Sequence, residues 1–261
     1  MLGRPFPRAP NVPPPTPARR PVRLARLVFR YRFLAFALAF GAGFGAYALD
    51  PVSVGVRLAR SFGDGGRATA AGVRVAFGVG ALFVIGAAAL RTWATAYLRS
   101  AVVHDQTVHA EALVADGPYR RVRNPLYLGG VLMAVGFGFA APPLGAVVMV
   151  AGVLAVSLAL VAVEEAALAE SLGARFAAYR ARVPAFVPAL RPRLPAGDAR
   201  PAWGQAVVGE AFFWSFALGA VALAVTLDAR WAGAASLVGV VLQSTLHRRL
   251  RARGAPVTAR P

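Results

Sequence analysis

The sequence predicts an all-α fold, a polytopic membrane helix bundle with about six spans arranged in hairpins. Of its 261 residues, 57% are hydrophobic and only 15% are charged, whereas soluble domains usually carry about a quarter charged residues. The 40 residues from Asn124 to Val163 contain no charged side chain at all. Uncharged apolar stretches of this length are typical of membrane-spanning helices.

The first two predicted spans lie within residues 33–90. The segment that precedes them, residues 1–32, is rich in proline and arginine, and we expect this arm to be disordered because proline is excluded from helix interiors. Apolar runs then follow at Phe33–Leu49 and Val75–Leu90. The first run resembles the core of a signal peptide, with an A-x-A pattern at Ala46-Tyr47-Ala48, but we expect it to be retained as a transmembrane helix. The second run is expected to be a transmembrane helix as well.

The charge-free segment predicts a helical hairpin over residues 126–163. As one helix it would be about 60 Å long, twice the thickness of the hydrocarbon core. Pro142 and Pro143 lie near its middle, where proline would end one helix and begin the next. The sequence therefore predicts a descending helix over Leu126–Ala141 and a returning helix over Leu144–Val163, with both outer ends on the same side of the membrane.

A second hairpin is predicted near the end of the chain, within residues 206–247. Its two apolar runs are separated by only three residues. It follows residues 91–190, which we expect to form the functional core, and a linker at 191–205. A basic tail, residues 248–261, completes the chain.

The net charge of +18 comes from 29 basic residues, all of them arginine. With both termini on the cytosolic side, 24 of these arginines lie in inner segments, as the positive-inside rule requires. This distribution predicts an integral protein of the inner (cytoplasmic) membrane that contacts membrane lipid, and it argues against nucleic acid as a partner. No protein partner is evident.

The absence of lysine and cysteine excludes Schiff-base and thiolate chemistry, and three histidines make a metal centre unexpected.

Polar residues flank the predicted hairpin on its inner side, in residues 116–129 and 164–184. Because the hairpin joins these two segments, we expect them to meet at the cytosolic membrane face. Arg123 is suited to bind a carboxylate bidentately, and a helix that begins near Pro125 offers free amides to an anion. We expect Glu164 and Glu165 to end the returning helix, where acids disfavour the helix dipole and require a compensating cation.

The residues of these two segments resemble the signatures of the superfamily of isoprenylcysteine carboxyl methyltransferases and phospholipid methyltransferases. The first segment carries Gly117-Pro118-Tyr119 and then Arg123-Asn124-Pro125-Leu126-Tyr127-Leu128-Gly129. The second carries Glu164-Glu165-Ala166-Ala167-Leu168, then Leu172-Gly173, Phe176, Tyr179, Arg180, Arg182, Val183 and Pro184. The resemblance covers residues 88–190. In the family signature a histidine stands in place of Asn124 and a tyrosine in place of Phe176.

The resemblance implies an integral membrane methyltransferase that uses S-adenosylmethionine and a lipophilic methyl acceptor. Carried over by position, the cofactor pocket would contain Tyr119, Arg123, Asn124, Tyr127, Gly129, Glu164 and Tyr179. The catalytic residues would be Glu165 and Arg182. A carboxylate acceptor would be held by Arg182, whereas an amine or thiol acceptor would lose its proton to Glu165.

Two other functions remain open at this point. Sterol reductases, which use NADPH, have a similar arginine-histidine-proline-asparagine-tyrosine segment, but here Leu126 replaces its asparagine. The other alternative is a non-catalytic, lipid-interacting membrane protein that keeps the fold.

Overall fold

The computed structural model describes residues 21–63, 66–104 and 113–254, and within these ranges it contains helices and loops but no strand. The predicted all-α class is therefore confirmed. The helices are α1 (Pro21–Gly45), α2 (Val54–Ser61), α3 (Ala70–His104), α4 (Pro125–Gly138), α5 (Pro143–Leu172), α6 (Ala174–Arg182), α7 (Trp203–Gly209), α8 (Ala211–Thr226) and α9 (Ala229–Gly254).

Two helices in the described residues are long and apolar enough to cross a membrane. They are the Ala70–Leu98 part of α3 and the whole of α5. A third span results if α7 and α8, which are bent by 62° relative to each other, are counted as one. The apolar helix α4 and the Ala229–Leu242 part of α9 are shorter. The total of six spans stays a prediction.

The amino-terminal helix starts earlier than expected. Helix α1 begins at Pro21, so residues 21–32, which we assigned to the disordered arm, are helical. The physical reason is that no proline follows Pro21 before Pro51, while proline itself is tolerated in the first turn of a helix. Residues 1–20, the rest of the arm, lie outside the described part of the chain.

Helices α4 and α5 form a hairpin in the place where the sequence predicts one, but its second helix is longer than expected. Helices α4 and α5 pack against each other around the turn at Pro142 and Pro143. Helix α5 does not end at Glu164 and Glu165 but continues to Leu172. Alanine, leucine and glutamate, which follow the apolar part, are all good helix formers. The stop comes at Gly173, whose φ of 50° is in the left-handed region that favours glycine.

Helix α3 lies at the centre of the bundle, packed against both α4 and α8. Its close approach to α4 depends on two glycines, because a Cβ on Gly136 would lie 2.6 Å from the carbonyl oxygen of Gly80. Next to this contact, Val84 of α3 and Met133 of α4 are buried together with Ala217 of α8. The C-terminal hairpin, α8 and α9, thus packs against one side of α3 through α8.

Candidate functional site

The two polar segments meet, as the hairpin topology predicts. The backbone amide of Arg123 donates to the carbonyl oxygen of Pro184 at 2.8 Å, and that of Asn124 donates to the carbonyl oxygen of Ala185 at 3.3 Å. These bonds lie where α4 begins and where the chain leaves α6. They hold the start of the hairpin against the segment that follows its return.

Arg123 and Glu165 form the central ion pair of this meeting point. Nε of Arg123 donates to Oε1 of Glu165 at 2.9 Å, and Nη2 donates to Oε2 at 3.2 Å. Both side chains are only slightly exposed, at 11% and 13%. The third guanidinium nitrogen, Nη1, donates to the carbonyl oxygens of Arg180 and Val183. Arg123 therefore ties α5 to the end of α6.

Asn124, the residue that replaces the family histidine, is buried and also contacts Glu165. Its Nδ2 donates to Oε1 of Glu165 and to the carbonyl oxygen of Ala185, both at 3.3 Å. Asparagine can donate in this position without carrying a charge. Its side chain does not cap α4. Within the part of the chain that the structure describes, the first turn of α4 therefore has no side-chain acceptor at its N-cap.

The second acid, Glu164, is paired with a tyrosine. The hydroxyl of Tyr127, in the first turn of α4, donates to Oε1 of Glu164 at 2.6 Å. Both side chains are partly buried. Glu164 and Glu165 are successive residues of α5, and each is bound by a residue of the signature segment 123–129 at the start of α4.

Tyr119 and Tyr179 are both buried and contact each other across the two segments. The Tyr179 hydroxyl donates to the Tyr119 carbonyl oxygen at 2.8 Å. Burial away from water raises the pKa of both hydroxyls above the ordinary tyrosine value because it disfavours the charged phenolate. Phe176 and Val183 are buried beside Tyr179. An apolar side chain at position 176 therefore fits its surroundings.

Residues 191–205, the segment that we expected to be a linker, are hydrogen-bonded to the first polar segment, residues 116–129. The backbone amide of Gly197 donates to Oδ1 of Asp116 at 2.8 Å. Nε of Arg120 donates to the carbonyl oxygen of Leu194 at 2.9 Å. Residues 191–205 therefore pack beside Gly117-Pro118-Tyr119 before the chain enters α7.

Two of the expected site residues lie apart from the others. Gly129 faces α3, where a Cβ at its position would come within 2.5 Å of Cγ of Arg91. The glycine therefore makes room for an arginine side chain. Arg182 is exposed at the C-terminal end of α6, and its side chain makes no hydrogen bond or ion pair with any residue that the structure describes.

Arg91, Thr95 and Glu210 adjoin the site, and the sequence did not single them out as site residues. Nε of Arg91 donates to Oε2 of Glu210 at 2.8 Å, and the hydroxyl of Thr95 donates to Oε1 at 2.6 Å. Arg91 directly follows an apolar run, so in the sequence it is indistinguishable from an arginine that only orients its helix. The usable signal was Glu210, an acid at the very start of a predicted span.

The exposed and uncapped groups of the site fit a ligand that carries both a positive and a negative charge. Glu164, which accepts a hydrogen bond from Tyr127 and lies close enough to Arg32 to interact with it electrostatically, offers a carboxylate to a cation. The uncapped amides of α4 offer donors to a carboxylate. Arg180, which is 62% exposed and 3.7 Å from Glu165, offers a further cation at the rim. The site therefore combines an acidic group, Glu164, with a basic group at its rim, Arg180.

Comparison with known proteins identifies the segment that contains most of this site. Residues 75–175 match the model of the phospholipid methyltransferase family, which belongs to the same superfamily as the isoprenylcysteine carboxyl methyltransferases. The expected family is thus confirmed for this segment. It includes both acids of α5 and ends before Tyr179 and Arg182. No curated protein and no solved structure matches the chain. The match supports a function of the membrane methyltransferase kind.

Proposed function

We propose that this protein is an integral membrane methyltransferase that uses S-adenosylmethionine and methylates a lipophilic acceptor, in the manner of the isoprenylcysteine carboxyl methyltransferases. The observation that carries the proposal is that two glutamates of α5 are bound at the start of α4. Tyr127 binds Glu164, and Arg123 binds Glu165. Both pairs lie inside the matched segment.

The position of the acids along α5 suits a site at the membrane surface. Glu164 follows Pro143, the first residue of α5, by a helix length of about 32 Å. That length is close to the thickness of the hydrocarbon core. A helix that enters the bilayer near Pro143 therefore brings Glu164 and Glu165 to the opposite headgroup region, where a polar cofactor and a lipid acceptor can both reach them.

The side chains of the site have different roles in this proposal. S-Adenosylmethionine supplies a methyl group that is activated by its attachment to a sulfonium. Glu164, oriented by Tyr127, stabilises positive charge on the bound cofactor. The amides of α4 bind the carboxylate of the cofactor. Asn124, Tyr119 and Tyr179 shape the pocket. Most of the rate enhancement then comes from alignment in a water-poor site.

The contacts of Glu165 favour a role different from that of a proton acceptor. Both of its oxygens are engaged by Arg123, and one of them also by Asn124. We therefore assign to Glu165 the orientation of Arg123, and to Glu164 the removal of a proton where the acceptor is an amine or a thiol. We keep Arg182 as the group that would hold an acceptor carboxylate, since its guanidinium is exposed and the next residue, Val183, binds Arg123 through its carbonyl oxygen.

The experiment that tests the function is ligand binding to the detergent-purified full chain. We expect S-adenosylmethionine to bind with measurable heat in titration calorimetry and NADPH to give none. Binding of NADPH without S-adenosylmethionine would contradict the proposal and favour a reductase. Methyl transfer from labelled S-adenosylmethionine into extracted lipids would then identify the class of acceptor.

We also propose that the site and both termini face the cytosol. The chain has no cysteine, so a single introduced cysteine can be labelled without background. Leu190, 95% exposed beside the site, and Phe62, 89% exposed in the loop after α2, are suitable positions. In intact cells a membrane-impermeant maleimide is expected to label Phe62→Cys and not Leu190→Cys. The reverse pattern would show the opposite orientation.

A further inference from the structure

A buried ion pair connects the start of the C-terminal hairpin to the matched segment, residues 75–175. Glu210, only 6% exposed, lies at the bend between α7 and α8 and accepts hydrogen bonds from Arg91 and Thr95 of α3. Arg91 and Thr95 lie inside the matched segment, residues 75–175, whereas Glu210 lies outside it. A carboxylate this deeply buried requires such partners, because an unpaired buried charge is strongly unfavourable.

The guanidinium of Arg91 extends this connection to α4. Its Nη1 donates to the carbonyl oxygen of Leu126 at 2.9 Å, and its Cζ lies over the ring of Phe213, 3.7 Å from the ring centroid. Its aliphatic stem runs across Gly129. Because a guanidinium presents its donors in a rigid plane, the bonds to Glu210 determine the direction in which Nη1 points.

Leu126 lies in the turn of α4 that forms the candidate site. The next residue, Tyr127, binds Glu164, and the preceding signature residues Arg123 and Asn124 bind Glu165. Arg91 thus contacts the turn from the α3 side, while the two glutamates contact it from the α5 side. The placement of the uncapped amides of α4 depends on both.

We propose that Glu210 is a positioning residue for the cofactor site. Through Arg91 it fixes the first turn of α4, and the C-terminal hairpin is thereby part of the methyltransferase unit. This inference rests on the proposed function, since it concerns affinity for the same cofactor. It differs from a purely structural role of the pair, which would contribute to folding but leave the affinity of the folded protein unchanged.

The test compares cofactor affinity with folding in a set of variants of the full chain. Glu210→Gln keeps the shape of the side chain and removes its charge. We expect it to weaken S-adenosylmethionine binding about tenfold, as is typical when the support of a bound group is lost. Thr95→Val, which removes one hydrogen bond to Glu210, is the milder variant and is expected to weaken binding about threefold.

A double variant separates positioning from folding. Replacing both members of a buried pair by apolar residues often leaves stability unchanged, so we expect Arg91→Met with Glu210→Leu to melt close to the wild type. Its affinity should nevertheless stay about tenfold weaker, because no guanidinium then binds the carbonyl oxygen of Leu126. Asp228→Asn is the matched control, since it breaks an exposed acid-arginine pair at the other end of α8. The control is expected to bind like the wild type.

The outcomes distinguish the two proposals. If the wild type binds S-adenosylmethionine and the Glu210→Gln, Thr95→Val and double variants bind it equally well, the positioning role is wrong and the function stands. If Glu210→Gln and the double variant do not fold, Thr95→Val decides: wild-type affinity refutes the role, and weakened affinity at an unchanged melting temperature supports it. If the wild type does not bind S-adenosylmethionine, the proposed function is wrong and the positioning role falls with it.

Discussion

Arg123 binds both carboxylate oxygens of Glu165, at 2.9 and 3.2 Å, although 42 positions separate the two residues in the chain. The helical hairpin formed by α4 and α5 is the reason that they meet. The same guanidinium also binds backbone carbonyls at the end of α6. One side chain therefore holds together the beginning of the hairpin, its return and the segment after it.

This pair predicts a large loss of stability when one partner is removed. We expect Glu165→Gln or Arg123→Gln to cost about 3 kcal/mol in the free energy of unfolding, because the remaining group is left without its partner in a poorly solvated position. Denaturant unfolding in detergent measures this loss. Arg57→Gln, which breaks an exposed pair with Asp50, is the control and is expected to cost less than about 1 kcal/mol. Equal losses would contradict the assignment of a central role.

The bond between Tyr127 and Glu164 predicts a loss of cofactor affinity without loss of the fold. Tyr127→Phe removes a hydroxyl that donates to a carboxylate at 2.6 Å, a bond worth about 2 kcal/mol. We expect S-adenosylmethionine to bind at least about tenfold more weakly to this variant. Tyr47→Phe removes a tyrosine bond of the same length, to the carbonyl oxygen of Ala140 near the hairpin turn. An equal effect of Tyr47→Phe would show that the loss is not specific to the site.

Gly129 and Gly130 predict opposite effects of the same substitution in one helix. Gly129→Ala places a Cβ against the side chain of Arg91, which its own bonds hold in place. We expect this variant to be destabilised by about 1–3 kcal/mol. A Cβ at Gly130 meets nothing within 4 Å, so Gly130→Ala is expected to be neutral or to stabilise the helix by up to about 1 kcal/mol. Thermal unfolding of the two variants compares them directly.

The buried hydroxyl of Tyr179 predicts a fall in stability at alkaline pH. Its pKa is raised by burial in the folded state, so above about pH 10 the unfolded chain loses the proton first. The stabilisation is therefore complete below the unfolded pKa and is lost as the pH rises above it. We expect Tyr179→Phe to be less stable than the wild type at pH 8, having lost a hydrogen bond to Tyr119, but to lose less on going to about pH 10.5. Denaturant unfolding followed by tryptophan fluorescence at both pH values measures the difference. An identical decline in both proteins would contradict the assignment.

Much of the site could be predicted because the hairpin imposes it. A charge-free run of 40 residues with a central proline pair has one simple solution, and that solution places Arg123 near Glu165 whatever the details of packing. One error in the sequence prediction concerned the end of α5. Acids at 164 and 165 mark the end of an apolar run, but a helix ends only where the backbone requires it, here at Gly173.

The sequence by itself determined the all-α class, the central hairpin and the pairing of two polar segments, because hydropathy and proline positions are local properties that limit how a chain crosses a membrane. Only the tertiary structure decided that Gly129 faces Arg91 rather than the acids of α5, and that Glu210 reaches the site from outside the matched segment. Those contacts depend on the rotation of each helix about its axis and on the bend at Glu210. Both are set by packing between helices distant in sequence, of which a single sequence carries no record.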